Sequence, residues 1–427
     1  MNKVAVRDTT ENLLADVGAL FDSFGGVPGL VGKKAVLLKP NGVHFMPGQA
    51  TASEFIEAVI RHLRLQGVRD IFLMENCTAG NLTRVVFAAL GWDRLCERYG
   101  VVPVYLDEGP TRQLTLPDED VPVRFPAFLY ERLIEDRENN FYLSLPRLKT
   151  HSMSHVTLGI KNQQGLLIHE DRMKDHNHLL GRRLARILGA VAPDFTMVEG
   201  ITATIYGHFP ILRDLDKSII DTKVLLAGDD VVAVDTVGAR VFGYDAKEVD
   251  HIRIAGERGL GCSDLSAIEI EGSLDRFTER YPYLPDIDVP ADIRLIHGKE
   301  MACYQGCRGN TEIAMHMFAH DYGGKGGFNI VMGKGVERKD LEGLDGDFLV
   351  VGPCAAGQAC ELIKEMYPGR KMLVVPEHND LANMSGKLAR LMRVNPLQDS
   401  PLPLYRAVWI LLKAKLNRTS ARLINPF

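Results

Sequence analysis

The chain has no apolar run of roughly 18 residues, so no transmembrane helix is expected. Its start, Met1 to Ala15, carries acids where a signal peptide has an apolar stretch, so no secretion signal is expected. Cysteine is scarce, seven in 427 residues. That excludes a disulfide scaffold and predicts reduced thiols in a cytoplasmic protein. Internal repeats and low-complexity tracts are missing, which excludes a solenoid or a disordered chain. An excess of positive charge is also missing. Fifty basic against 55 acidic residues leave −5, which argues against a nucleic-acid partner.

What is present is a globular composition, 46% apolar and 25% charged, with a length that suits two or three domains at roughly 150 residues each. The charge is uneven. Lys387 to Phe427 holds eight Lys or Arg and one acid, Asp399, for a net +7, so the remainder carries −12. A basic tail on an acidic body implies an attachment: the body itself, a second copy, an anionic membrane surface or an acidic protein.

Short apolar runs alternate with helical patterns. Ala35 to Lys39 ends at the turn signal Pro40-Asn41-Gly42. Thr51-x-x-Glu54 reads as a capping box before Phe55, Ile56, Val59, Ile60 and Leu63 at helical spacing. Strands follow at Ile71–Met74, Val101–Tyr105, Asn140–Leu145, Thr196–Glu199 and Lys223–Ala227, and a helix at Val231–Phe242. This alternation predicts an α/β fold with a mostly parallel sheet over residues 1–275. Pro110 to Asn140 reads as an excursion, and 276–290 as a linker. A smaller α/β domain follows at 291–385, with strands at Ile293–His297, Phe328–Met332, Phe348–Gly352 and Met372–Pro376. A basic helical tail, 386–427, contains a helix at Leu404–Leu416.

The richest polar stretch is Pro146 to Gly165, directly after the Leu145 strand end, where open α/β sheets place ligands. It is read as a loop carrying Lys149, His151, Lys161 and Asn162. Six of thirteen histidines lie between 151 and 208. Lys149, His151 and Lys161 are the candidate catalytic groups, because they pair cationic donors with an acid–base imidazole. Lys39, Asn41, Asn162 and Asp235 are the candidate substrate contacts, and the partner expected is a small anionic molecule. His176 and His178 are further candidates for an acid–base or metal role. Of Asp229, Asp230 and Asp235, one is expected to cap the helix after Ala227.

Four cysteines stand apart. Cys303-x3-Cys307 and Cys354-x5-Cys360 each follow a strand of the second domain. If those strands are parallel, the four thiols share one sheet edge and suit an iron–sulfur cluster, such as 4Fe-4S, or tetrahedral zinc. The spacings are those of neither zinc ribbons nor ferredoxins. The glycine-rich turns at 323–327 and 333–335 lack the Walker spacing.

The motifs Val36-Leu-Leu-Lys-Pro-Asn41, Leu145-Pro-Arg-Leu-Lys-Thr-His151, Val156-Thr-Leu-Gly-Ile-Lys-Asn162 with Gly165, and Leu226-Ala-Gly-Asp-Asp-Val-Val-Ala-Val-Asp235 with Gly259-Leu-Gly261 resemble the family called domain of unknown function 362. The resemblance covers about residues 30–275. It implies an iron–sulfur-associated protein with an unassigned reaction, since members often carry a ferredoxin-type module. This chain has no C-x2-C-x2-C-x3-C run, and the 303–360 quartet occupies that place. The function expected is an iron–sulfur or metal-dependent oxidoreductase acting on a small anion, with a redox protein as a further partner. The alternatives are a metal-binding accessory protein of a larger complex and a non-redox, metal-dependent isomerase or hydrolase.

Overall fold

The structure is a computed structural model that describes residues 2–27, 29–395, 398 and 400–424. Asp399 of the basic tail lies outside them. The first domain contains β1 (Asn2–Asp8), β2 (Ala35–Pro40), β3 (Asp70–Glu75), β4 (Val102–Tyr105) and an antiparallel pair, β5 (Thr111–Leu114) with β6 (Val123–Pro126). It continues through β7 (Asn140–Leu145), β8 (Arg147–His151), β9 (His155–Thr157), β10 (Phe195–Thr204), β11 (Ile219–Gly228) and β12 (Ile268–Glu271). Among the described residues, all of these but β5 and β6 form one sheet. Its path is β12-β1-β11-β10-β7-β2-β3-β4, with β8 against β10 and β9 against β8. Pairing is mostly parallel, as expected; β11 is antiparallel to both β1 and β10. The edge-side strand β1 escapes the sequence reading because only Val4-Ala-Val6 is apolar, between charged flanks.

Both sheet faces are covered, which is why the strands read as continuous apolar runs. Val36 and Leu38 join one core with Phe55, Val59 and Leu63 of the helix Ser53–Leu65. Leu37 points into the opposite core with Met74 and Tyr142, as the period-two pleat requires. The expected capping box does not form. Ala52 occupies the cap position with no side-chain bond. Thr51 instead donates its hydroxyl to Leu145 O (2.7 Å) and accepts from Asn41 N (2.9 Å), tying the helix start to the sheet edge.

The second domain is a four-stranded parallel sheet in sequential order: β13 (Arg294–His297), β14 (Phe328–Met332), β15 (Asp347–Val351) and β16 (Met372–Val375). Helices Gly309–Tyr322 and Leu381–Met392 cover one face and helix Gln358–Met366 the other. Helix Leu381–Met392 runs through residue 385, where the sequence reading ended the domain, because Leu388, Ala389 and Met392 belong to the small core. The tail then returns to the body. Its helix Leu404–Leu416 packs Ile410 and Ala414 with Leu82. Arg422 pairs with Asp380 (2.6 Å) and its carbonyl accepts from Gly80 N (2.7 Å). Among the described residues no helix is long and apolar enough to cross a membrane.

Candidate anion-binding site

The chain runs β2, β3, β4 outward on one side, then returns with β7 on the other side of β2. Strand order therefore reverses between β2 and β7, where open α/β sheets hold ligands beyond their carboxyl ends. Lys39 is the penultimate residue of β2 and Glu75 the last of β3. The stretch after β7, read as a loop, is instead built from β8, β9, the short helix Gly159–Asn162 and a turn at Gln163–Leu166, and is almost wholly buried. It folds over the crevice and walls a partly open cavity of about 140 Å³.

Lys39, Asn41, Lys149, His151, Lys161 and Asn162 all line this cavity. All six were named from the sequence, and the structure places them around one cavity. Lys39 Nζ pairs with Glu75 Oε1 (2.6 Å) and donates to Asn162 Oδ1 (3.2 Å). Gly165 permits that pair: a Cβ there would stand 2.8 Å from both Lys39 Nζ and Glu75 Oε1. Arg147 pairs with buried Glu199 (2.6 Å) and donates to Gly48 O (2.9 Å), anchoring β8. Lys149 Nζ donates to Gln49 O (2.8 Å). Burial, with Arg147 and Lys161 nearby, holds its pKa well below the usual lysine value. Burial and Arg172 bring Lys161 down to about 8. No carboxylate among the described residues pairs with Lys149 or Lys161.

The histidines divide by their hydrogen bonds. His151 Nδ1 accepts from Met153 N (3.1 Å), which places the ring proton on Nε2, free for a ligand. His151 stacks on His208 at 3.8 Å, and burial with the neighbouring cations keeps both rings neutral. His176 donates Nδ1–H to Gln305 O (2.7 Å), so its Nε2 carries the lone pair. Burial takes its pKa down to about 3. His169 is structural: Nε2–H donates to Cys77 O and Nδ1 accepts from Arg422 N. His178 is exposed and does not line the cavity.

Asp235 does not contact the cavity. Its carboxylate accepts from Gly159 N (2.7 Å) and Ile160 N (2.8 Å), capping the short helix that carries Lys161 and Asn162. Burial pushes its pKa up to about 8. Gly159 is required there, because a Cβ would meet Val231 at 2.5 Å. Asp235 is thus a positioning residue, and Asp230 is the expected cap of helix Val231–Val241.

Sequence reasoning missed Arg172, which lines the cavity while its guanidinium donates to the carbonyls of Asn76, Cys77 and Leu167. It also missed Asn310 and Asn379 of the second domain. Nothing local marks an arginine in the five-residue helix His169–Met173 or an asparagine after a distant strand. Three lining acceptors, Asn41 Oδ1, Asn76 Oδ1 and Gln164 Oε1, are buried without a hydrogen-bond donor.

The cysteine quartet does not assemble. Cys303, Cys307 and Cys354 share one hollow with His378, as the parallel sheet predicts. Cys360 is buried in the core on the other face of the small sheet, with Val350 and Ile363, because the six-residue step passes a break at Gly357. The residues present therefore do not fit a four-cysteine cluster. Among the described residues no group of three or more His, Cys, Asp or Glu side chains is arranged to hold a metal ion. Burial pushes the Cys307 thiol up to about 11, and Asn379 N donates to its sulfur (3.2 Å). The hollow and the cavity share a wall: His378 Nε2–H donates to His176 O (3.2 Å), and Asn379 lines the cavity.

These features define an open α/β protein with a cation-lined cavity at its topological switch point. Residues 36–240 match the family model described as "Domain of unknown function (DUF362)". Over 268 residues the chain is 27% identical to a thylakoid-associated protein of Synechocystis sp., covering 60% of this chain and 77% of that protein.

Proposed function

We propose that the first domain binds a small anionic molecule carrying hydroxyl or amine donors. Lys149 and Lys161 contact its anionic group, and His151 and His176 serve as proton donor and proton acceptor. Lys161 carries this reading: a buried ammonium with no carboxylate partner is costly unless a ligand supplies the counter-charge. The buried acceptors of Asn41, Asn76 and Gln164 call for donors on the same ligand. A cavity of about 140 Å³ suits a ligand below drug size, such as a short hydroxy acid or a phosphate ester of a short chain. A carboxylate or phosphate on a short hydroxylated chain meets all three demands. Thermal-shift screening of the full chain against inorganic phosphate and short hydroxy-carboxylates tests this. Stabilisation by at least one, lost in Lys161→Met, supports it; no stabilisation by any member, or stabilisation kept in the variant, contradicts it.

A second reading concerns the hollow at the second domain. We propose it as the place where a metal or cluster would attach by drawing Cys303, Cys307 and Cys354 together from the positions they hold here, which are not arranged around a metal, and without Cys360. The three thiols lining one hollow, against the cavity wall, favour it. Iron, sulfide and zinc analysis of anaerobically purified protein tests it, with Cys354→Ser as the control.

A further inference from the structure

Helix Leu404–Leu416 buries Ile410 and Ala414 against the body but leaves a second apolar face uncovered. Leu404, Tyr405, Val408, Trp409, Leu412 and Leu416 are all exposed, Leu404 by 80% and Leu416 by 83%. At about 100° per residue these six occupy one arc of roughly 140°. Arg406 and Lys413 border that arc on one side and Lys415 falls inside it, close to the Leu404 edge, with no acid in the helix. Lys413 Nζ sits 5.2 Å from the Trp409 ring centre.

We propose that this face docks on the surface of an anionic lipid bilayer, with the helix lying in the membrane plane. A contiguous exposed apolar face marks an interaction site on a protein surface. A tryptophan, a tyrosine and leucines bordered by lysine and arginine are the composition of an interfacial helix. Thirteen residues rise about 20 Å, too short to cross a hydrocarbon core of about 30 Å. A second copy of this chain is the poorer occupant, since two such faces would bring like charges together. The face is held ready for docking rather than dangling. The segment after the helix is tied down through Gly109 N to Asn417 O (2.8 Å), Ser420 N to Asp107 O (2.6 Å) and Gly80 N to Arg422 O (2.7 Å).

The chain supplies its own probe. It has two tryptophans; Trp92 is fully buried and Trp409 is 58% exposed. Adding vesicles of phosphatidylglycerol with phosphatidylcholine to the full chain should shift the emission to the blue, and the vesicles should carry the protein in flotation. Phosphatidylcholine alone should do neither, and high salt should weaken the effect. The variant Leu412→Glu with Leu416→Glu changes exposed side chains, so it should melt like the parent yet lose flotation. The proposal is overturned if emission and flotation are unchanged by anionic vesicles, or if the double variant floats as well as the parent. It is also overturned if the parent elutes as a dimer and the variant as a monomer, which assigns the face to a second copy.

Discussion

Replacing Lys161 by methionine should make the protein both more stable and worse at binding. In the unfolded chain a lysine titrates near 10.5, and burial beside Arg172 brings Lys161 to about 8 in the fold. At about 1.36 kcal/mol per pH unit, that difference is about 3 kcal/mol of native-state destabilisation at neutral pH. Below pH 8 the penalty is fully present. Between about 8 and 10.5 the unfolded state holds the proton more tightly than the native state, so stability rises with pH; above 10.5 the penalty is gone. Methionine has similar length and no charge, so Lys161→Met should gain up to about 3 kcal/mol in urea unfolding at pH 7. It should also flatten the rise in stability between pH 8 and 10.5. The same change removes a charge-assisted contact worth about 1.5–3 kcal/mol, which weakens binding of a small anion roughly 10- to 150-fold. In the parent, that binding should weaken as pH rises through 8, because the ammonium loses its proton. A variant that unfolds more easily and binds as before would refute the reasoning, for Lys161 would then be a structural group.

Asp235→Ala should leave two buried N–H groups unpaired and cost about 2–6 kcal/mol by chemical denaturation, with Asp235→Asn milder because one acceptor oxygen remains. In the fraction that stays folded, binding should weaken because the helix holding Lys161 loosens. Gly165→Ala should force Lys39 and Glu75 apart and cost at least about 1–3 kcal/mol, seen as a lowered urea midpoint. Cys360→Ser should leave metal content unchanged while costing about 1–3 kcal/mol, since it buries a hydroxyl in an apolar core. Cys303→Ser and Cys354→Ser should do the reverse, lowering metal content with little change in stability.

The strands at 328–332 and 372–375 were legible as unbroken apolar runs between turn residues, and the helix Leu404–Leu416 from a run long enough to show its period. The stretch 146–165 was located as the site but misread as a loop. Its elements are five, three and four residues long and rich in polar residues, so neither a period nor an apolar run marks them. Lys39 and Asn41 were legible because a strand end and a turn bracket them. Arg172 was not, because what makes it a cavity residue is the fold of the 159–173 segment over β3, a long-range contact. Thr51 had the pattern of a helix cap, yet the sheet edge competed for its hydroxyl and won. Cys360 failed for a topological reason: shared strand ends align Cys303 and Cys354, while the helix carrying Cys360 crosses to the opposite face.

The anion cavity is tested most directly by soaking crystals of the full chain in bromide and locating the halide by anomalous scattering. A bromide at hydrogen-bond distance from Lys161 Nζ inside the cavity, absent in Lys161→Met, is the result predicted. Bromide confined to surface sites, with the cavity holding only ordered water, would contradict it.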